Sequence, residues 1–271
     1  MPGLTYISLY ETIYNIRLTG SKPCLLCQNV VANRHTEPEE YMQNLQTAVP
    51  AKFDLHTRES YVEVMRRLQE AHDAGRDVET LEQSSGFNFR PGSLLYDRSL
   101  RMVLDPPAAV FYDWMHCFCA SGGVAQYTIN EVLRAIFRAE LSTLELMDAF
   151  ARSLTLPGEY VPVGFFKWRY VAADANSSHF RGFAGETLLA LEVLAAWLQH
   201  VLPLRENRDA LSVEVQQCLL ICAAIGSLLR MGDFVVAFVE LLNKCVLAHF
   251  RLFTQLFPGR VTPKLHFLFH T

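Results

Sequence analysis

Apolar residues recur at helical spacing in several parts of the chain, and those stretches predict its elements. Between Arg58 and Ala74 they fall at Tyr61, Val62, Val64, Met65 and Leu68, an amphipathic helix opened by Thr57 with Ser60 nearby. Glu131 to Leu154 reads as a strong helix. Further helices run from near Gly185 to about Val201, from Val213 to Met231 and from Phe234 to Phe257, with Met231-Gly232-Asp233 as the break between the last two. The helices from 185 onward are apolar on most faces, so they must pack on one another and on a further layer. Short apolar runs at Leu94-Leu95-Tyr96, Met102-Val103-Leu104 and Ala108 to Tyr112 predict short strands, and residues 1–31 suit a strand or a short helix. From about Arg34 to Arg90 the chain is polar and carries much of its charge, which reads as a solvated insertion or linker. The pattern predicts a mostly α fold with a bundle-like C-terminal half and a few short strands. It divides into residues 1–33, 34–107 and 108–271.

Composition narrows the class. The chain has 271 residues, is 51% hydrophobic and 19% charged, and carries 24 Lys+Arg against 28 Asp+Glu. That is apolar enough for a sizeable core and excludes general disorder. A net charge of −4 gives no global attraction to nucleic acid, so a DNA contact needs a local basic patch. One such patch, interleaved with aromatic residues, is Phe165-Phe-Lys-Trp-Arg169 with Arg181; a charged loop beside a core tryptophan has the same composition. The longest uncharged apolar stretch, Val215 to Leu229, falls short of the roughly 20 residues that span a bilayer, and no membrane partner is expected. The first residues lack the basic start and continuous apolar run of a signal peptide.

Seven cysteines, an odd and scattered set, argue against a disulfide framework. Cys218 and Cys222 sit in an apolar run and read as small core residues. Cys24 and Cys27 differ, because they follow a Gly-Ser-Lys-Pro turn and have the two-residue spacing of a metal knuckle. His266 and His270 share a helix face if Thr262 caps and Pro263 opens the last helix. Together the four make a Cys2His2 set, or else two structural cysteines beside two ordinary histidines. Asp113 and His116, after a short strand, can point at one locus, or Asp113 can simply cap a helix. Glu186, after Gly182-Phe-Ala-Gly185, sits in a first helical turn, where a carboxylate also suits the helix dipole.

The order of these motifs resembles the C-terminal part of eukaryotic DDE transposases of the CACTA (EnSpm-like) and Plavaka type. It is carried by Lys22-Pro-Cys24-Leu-Leu-Cys27, Asp113-Trp-Met-His116 leading to Gly-Val-Ala-Gln-Tyr127, Gly182-Phe-Ala-Gly-Glu186 and Pro263-Lys-Leu-His266-Phe-Leu-Phe-His270. The resemblance implies the remnant of an RNase H-like core with a helical insertion, and a nuclear location. In the intact family, three acidic residues hold two magnesium ions that act on transposon DNA. By this resemblance Glu186 matches the third acidic residue, Asp113 and His116 an accessory D-x-x-H step, and Cys24, Cys27, His266 and His270 a structural zinc set. The family's first two aspartates precede the cysteine pair, whereas Glu11 is the only acidic residue before Cys24 here. The expectation is therefore a truncated, transposase-derived chain without strand-transfer activity, with magnesium not bound and DNA contacts weak or absent. The ending at Thr271, next to a histidine, also suggests a fragment. Two other readings remain at this stage. One is a non-enzymatic helical interaction or scaffold protein with no metal site, the other a metal-dependent nuclease built on Asp113, Glu186 and a further aspartate.

Overall fold

Thr57 starts the first long helix as its sequence requires. Its hydroxyl accepts from the Ser60 N–H at 3.2 Å while the Ser60 hydroxyl accepts from the Thr57 N–H at 3.0 Å, a reciprocal cap. A computed structural model of the chain describes residues 22–32, 42–92, 96–103, 105–109, 112–120, 122–155, 161–172, 178–231 and 236–270. The expectations for residues 1–21, Leu94 and Leu95 lie outside them. The chain divides into two compact units, one reaching to Tyr112 and including His270, the other spanning Asp113–Phe269.

In the first unit, β1 (Val30–Val31) and β2 (Gln43–Asn44) pair in parallel, with Val30 opposite Gln43. Helix α1 (Arg58–Asp73) buries Tyr61, Met65, Leu68 and Ala71, the i, i+4, i+7 stripe of an amphipathic helix. It is followed by α2 (Glu79–Ser85), α3 (Arg98–Val103) and α4 (Pro106–Ala109). Tyr61, Met65 and Leu68 form a core with Leu25, Phe87, Phe89 and Tyr96, so the polar stretch read as a linker contributes buried apolar surface. In their described residues, Met102-Val103 and Ala108-Ala109, two predicted strands are helical. The Asp97 carboxylate accepts from the N–H groups of Ser99 and Leu100, which starts α3 through Met102 and Val103. Pro106, with its φ preset for a first helical turn, opens α4 where Ala108 was assigned to a strand.

The second unit is helical: α5 (Trp114–Phe118), α6 (Val124–Arg138), α7 (Leu144–Ser153), α8 (Phe165–Arg169), α9 (Ala184–His200), α10 (Val213–Arg230), α11 (Val236–Leu256) and α12 (Pro263–Phe267). Helix α10 is its centre and packs against α6, α9 and α11. Gly226 of α10 makes room for α9, since a Cβ there would lie 3.1 Å from the Leu188 side chain. The single helix predicted from Glu131 to Leu154 is two helices. The turn between them puts Glu140 at φ 54° and returns the Leu141 N–H to the Ile136 carbonyl at 3.1 Å, an αL helix stop. Helix α6 carries buried polar groups that hold a neighbouring loop. Asn130 pairs with both the N–H and the carbonyl of Val171, and Arg134 reaches Glu131 and the Ser178 hydroxyl. Arg260 meets Glu131 at 2.8 Å. By length and composition alone, Ala184–Leu204 and Val213–Arg230 are apolar enough to cross a membrane; here both pack against neighbouring helices.

Candidate metal centre

The Cys24–Cys27 knuckle is fixed by backbone bonds on both sides. The Gln28 N–H donates to the Asp54 carbonyl and the His56 N–H to the Leu26 carbonyl, each at 2.8 Å, which pairs Cys27 with Leu55 across an antiparallel bridge. The Tyr61 hydroxyl donates to the Leu25 carbonyl at 2.8 Å, tying the knuckle to α1. Both cysteines are buried, at 4% and 1% exposure. The two histidines come from the last described segment. Thr262 precedes α12 and Pro263 occupies its first turn; after Phe267 the helix tightens into a 3₁₀ turn, Leu268–His270. Lys264 anchors α12 by donating to the carbonyls of His116 and Ala120, at 3.0 and 2.9 Å.

The four residues meet. One ligand atom from each of Cys24, Cys27, His266 and His270 lies within 4.8 Å of the others, and His270 Nε2 is 3.6 Å from Cys24 Sγ and 3.3 Å from Cys27 Sγ. A tetrahedral zinc ion with Zn–S of about 2.3 Å and Zn–N of about 2.0–2.1 Å requires S···N separations of about 3.6 Å, close to the two that His270 makes. The group can hold a metal ion. Contact with Cys24, then burial, raises the Cys27 thiol well above its ordinary value, so two adjacent thiolates are costly unless a cation lies between them.

Tyr112 adds an outer contact that sequence reasoning missed. Its hydroxyl donates to Cys24 Sγ at 3.6 Å and accepts from the Leu25 N–H at 2.9 Å, and its ring lies 6.0 Å from that of His270. Burial, then the nearby thiol, pushes the phenol upward, which keeps its proton available to the sulfur. In sequence Tyr112 ends the apolar run that begins at Ala108, and nothing in its local pattern marks it.

The other candidate residues are engaged locally. Asp113 accepts from the N–H groups of Met115 at 2.8 Å and His116 at 3.4 Å, and its second oxygen meets His116 Nδ1 at 2.7 Å. It caps α5. Glu186 accepts from the Phe183 N–H at 2.9 Å and pairs with Arg169, whose guanidinium holds the carboxyl below its ordinary range. Neither acid belongs to the one group of three or more metal-ligating side chains found among the described residues. In the basic patch, Phe165 and Phe166 are buried, Lys167 and Trp168 are exposed, and Arg169 sits 4.6 Å over the Phe165 ring. Cys218 and Cys222 are buried in α10, and burial pushes the Cys218 thiol up to about 12. Set against protein-family models, curated proteins and solved structures, the chain matches none of them.

Proposed function

We propose that this chain binds one structural zinc ion through Cys24, Cys27, His266 and His270, and that it is a transposase-derived protein keeping the zinc-tied helical part of a CACTA-type DDE transposase. The observation that carries the reading is the convergence of a cysteine knuckle with a histidine pair, His270 lying 246 positions from Cys24, so that one ligand atom from each of the four residues lies within 4.8 Å of the others. The scaffold alternative without a metal site has no use for that convergence. In this reading the helical unit is what remains of the insertion into an RNase H-like core, the protein is nuclear, and its contacts with transposon DNA are weak or absent. The chain performs no strand transfer. Glu186 is taken up by Arg169 and its own helix start, and a hard divalent ion needs several oxygen ligands.

Metal analysis of the purified chain should find one zinc per molecule, lost in Cys24→Ser and His266→Ala. A metal-free protein indifferent to chelators would overturn the zinc assignment. Strand transfer with magnesium and transposon-end DNA, abolished in Glu186→Gln, would overturn the inactive reading.

A further inference from the structure

The first unit also contains a cavity of about 220 Å³, between the residues flanking the knuckle, α1 and α2. Lys22, Gln28 and Arg67 contribute its polar wall, and Val64, Leu68 and Leu81 its apolar one. No carboxylate is among its lining residues, although Glu63, on the same helix as Arg67, lies within electrostatic reach of that guanidinium. Lys22 is half-buried, and its ammonium has no hydrogen-bond or ion-pair partner among the described residues. Gln28 donates one amide hydrogen to the Leu55 carbonyl and keeps a second. The wall is firmly placed. Gly86, at φ +82°, closes α2 so tightly against the segment leading to the knuckle that a Cβ would lie 2.7 Å from the Lys22 carbonyl oxygen.

An unpaired, partly desolvated ammonium is costly unless an anion enters beside it. Two cations of different kinds suit a dianion better than a single charge, and a guanidinium offers a fork that matches phosphate oxygens. The volume is below the usual range of about 300–1,000 Å³ for sites taking drug-sized molecules, which restricts the occupant to a few carbons. We propose that this cavity binds a small phosphomonoester, its phosphate held by Lys22 and Arg67 and its short carbon chain against Val64, Leu68 and Leu81.

The test is a ³¹P NMR titration of the full, metal-loaded chain with inorganic phosphate and with propyl phosphate, with butyrate as a competitor. Saturable one-to-one binding is expected, propyl phosphate binding more tightly than inorganic phosphate because its carbons meet the apolar wall. Lys22→Met and Arg67→Met should each weaken binding about tenfold or more, as expected for losing a charged hydrogen bond. Arg67 is exposed on α1, so its variant keeps the test valid if Lys22→Met disturbs the knuckle; metal content of both variants checks the fold. Absence of saturable binding, or unchanged affinity in a metal-loaded Arg67→Met protein, would overturn the proposal. So would butyrate binding as tightly as propyl phosphate, which would remove the dianion requirement. Tighter binding of a 5′-phosphorylated oligonucleotide than of propyl phosphate would reassign the site to nucleic-acid ends.

Discussion

Tyr112 shows what one side chain adds to a set of four ligands. A hydroxyl donating to a metal-bound thiolate orients it and tempers its charge, and outer partners of this kind typically change metal affinity by about 10–100-fold. Tyr112→Phe removes the bond to Cys24 Sγ and leaves the ring near His270. The expected result is zinc at unchanged stoichiometry with affinity lower by about tenfold, measured by competition with a chromophoric chelator. Equal affinities would make Tyr112 a packing residue. The four ligands were legible from sequence because metal chemistry restricts residue type and spacing together: two cysteines three apart after a turn, two histidines four apart on a helix. Tyr112 was not, since the Cys24 and Leu25 atoms it bonds are brought to it by tertiary structure. For Asp113 and Glu186 sequence left two uses open, and in the fold each carboxylate serves its own helix start.

Helices were the readable elements. Their apolar spacing placed α1, α9, α10 and α11 to within a few residues, because each buries a face whose period the sequence must keep. The stop at Glu140 escaped, since glycine usually occupies that αL position and the turn here is imposed by burying Leu141. Short runs such as Met102-Val103 were ambiguous for the opposite reason: too few residues to show a period, with a capping aspartate deciding the outcome. Helix α11 carries a titration set by its surroundings. His249 is fully buried, with its Nε2 3.1 Å from the Thr128 hydroxyl and its ring stacked on Phe253. Burial lowers its pKa to about 4. The unfolded chain, with an ordinary value near 6.5, therefore binds the proton first, so stability is lost as pH falls from about 6.5 towards 4. A shift of that size corresponds to about 2 kcal/mol between pH 7 and pH 5. His249→Gln keeps an amide nitrogen to face Thr128 and removes the titration. Urea unfolding should show the gap between wild type and variant closing in the variant's favour by about that amount over this interval. A constant gap would place the acid sensitivity elsewhere.

At the scale of the whole molecule, the proposed metal centre would be the longest-range constraint that the described residues carry. Cys24 and Cys27 contact His270 across 246 and 243 positions of sequence, and among the described residues no pairing of short strands supplies a comparable link. A cross-link of that reach removes entropy from the unfolded chain that grows with the logarithm of the loop, about 5 kcal/mol by the chain-entropy relation for a loop of this size. That figure is an upper bound, because cysteines and histidines of an unfolded chain also bind zinc and reduce the difference. A bound metal would further neutralise the apposed thiols, whose mutual contact and burial raise Cys27. Both effects require the folded arrangement, so metal affinity and folding stability must move together. Wild-type protein should lose several kcal/mol of unfolding free energy on chelation and recover it as free zinc is raised, with the midpoint climbing with the logarithm of zinc concentration. Cys24→Ser should resemble the chelated wild type and respond little to either treatment. The decisive measurement is the urea midpoint of the two proteins across a buffered zinc series. Parallel curves would mean that the sulfurs and imidazoles meet for packing alone, whereas convergence at low zinc and divergence at high zinc is the behaviour of a chain whose ends are held by an ion.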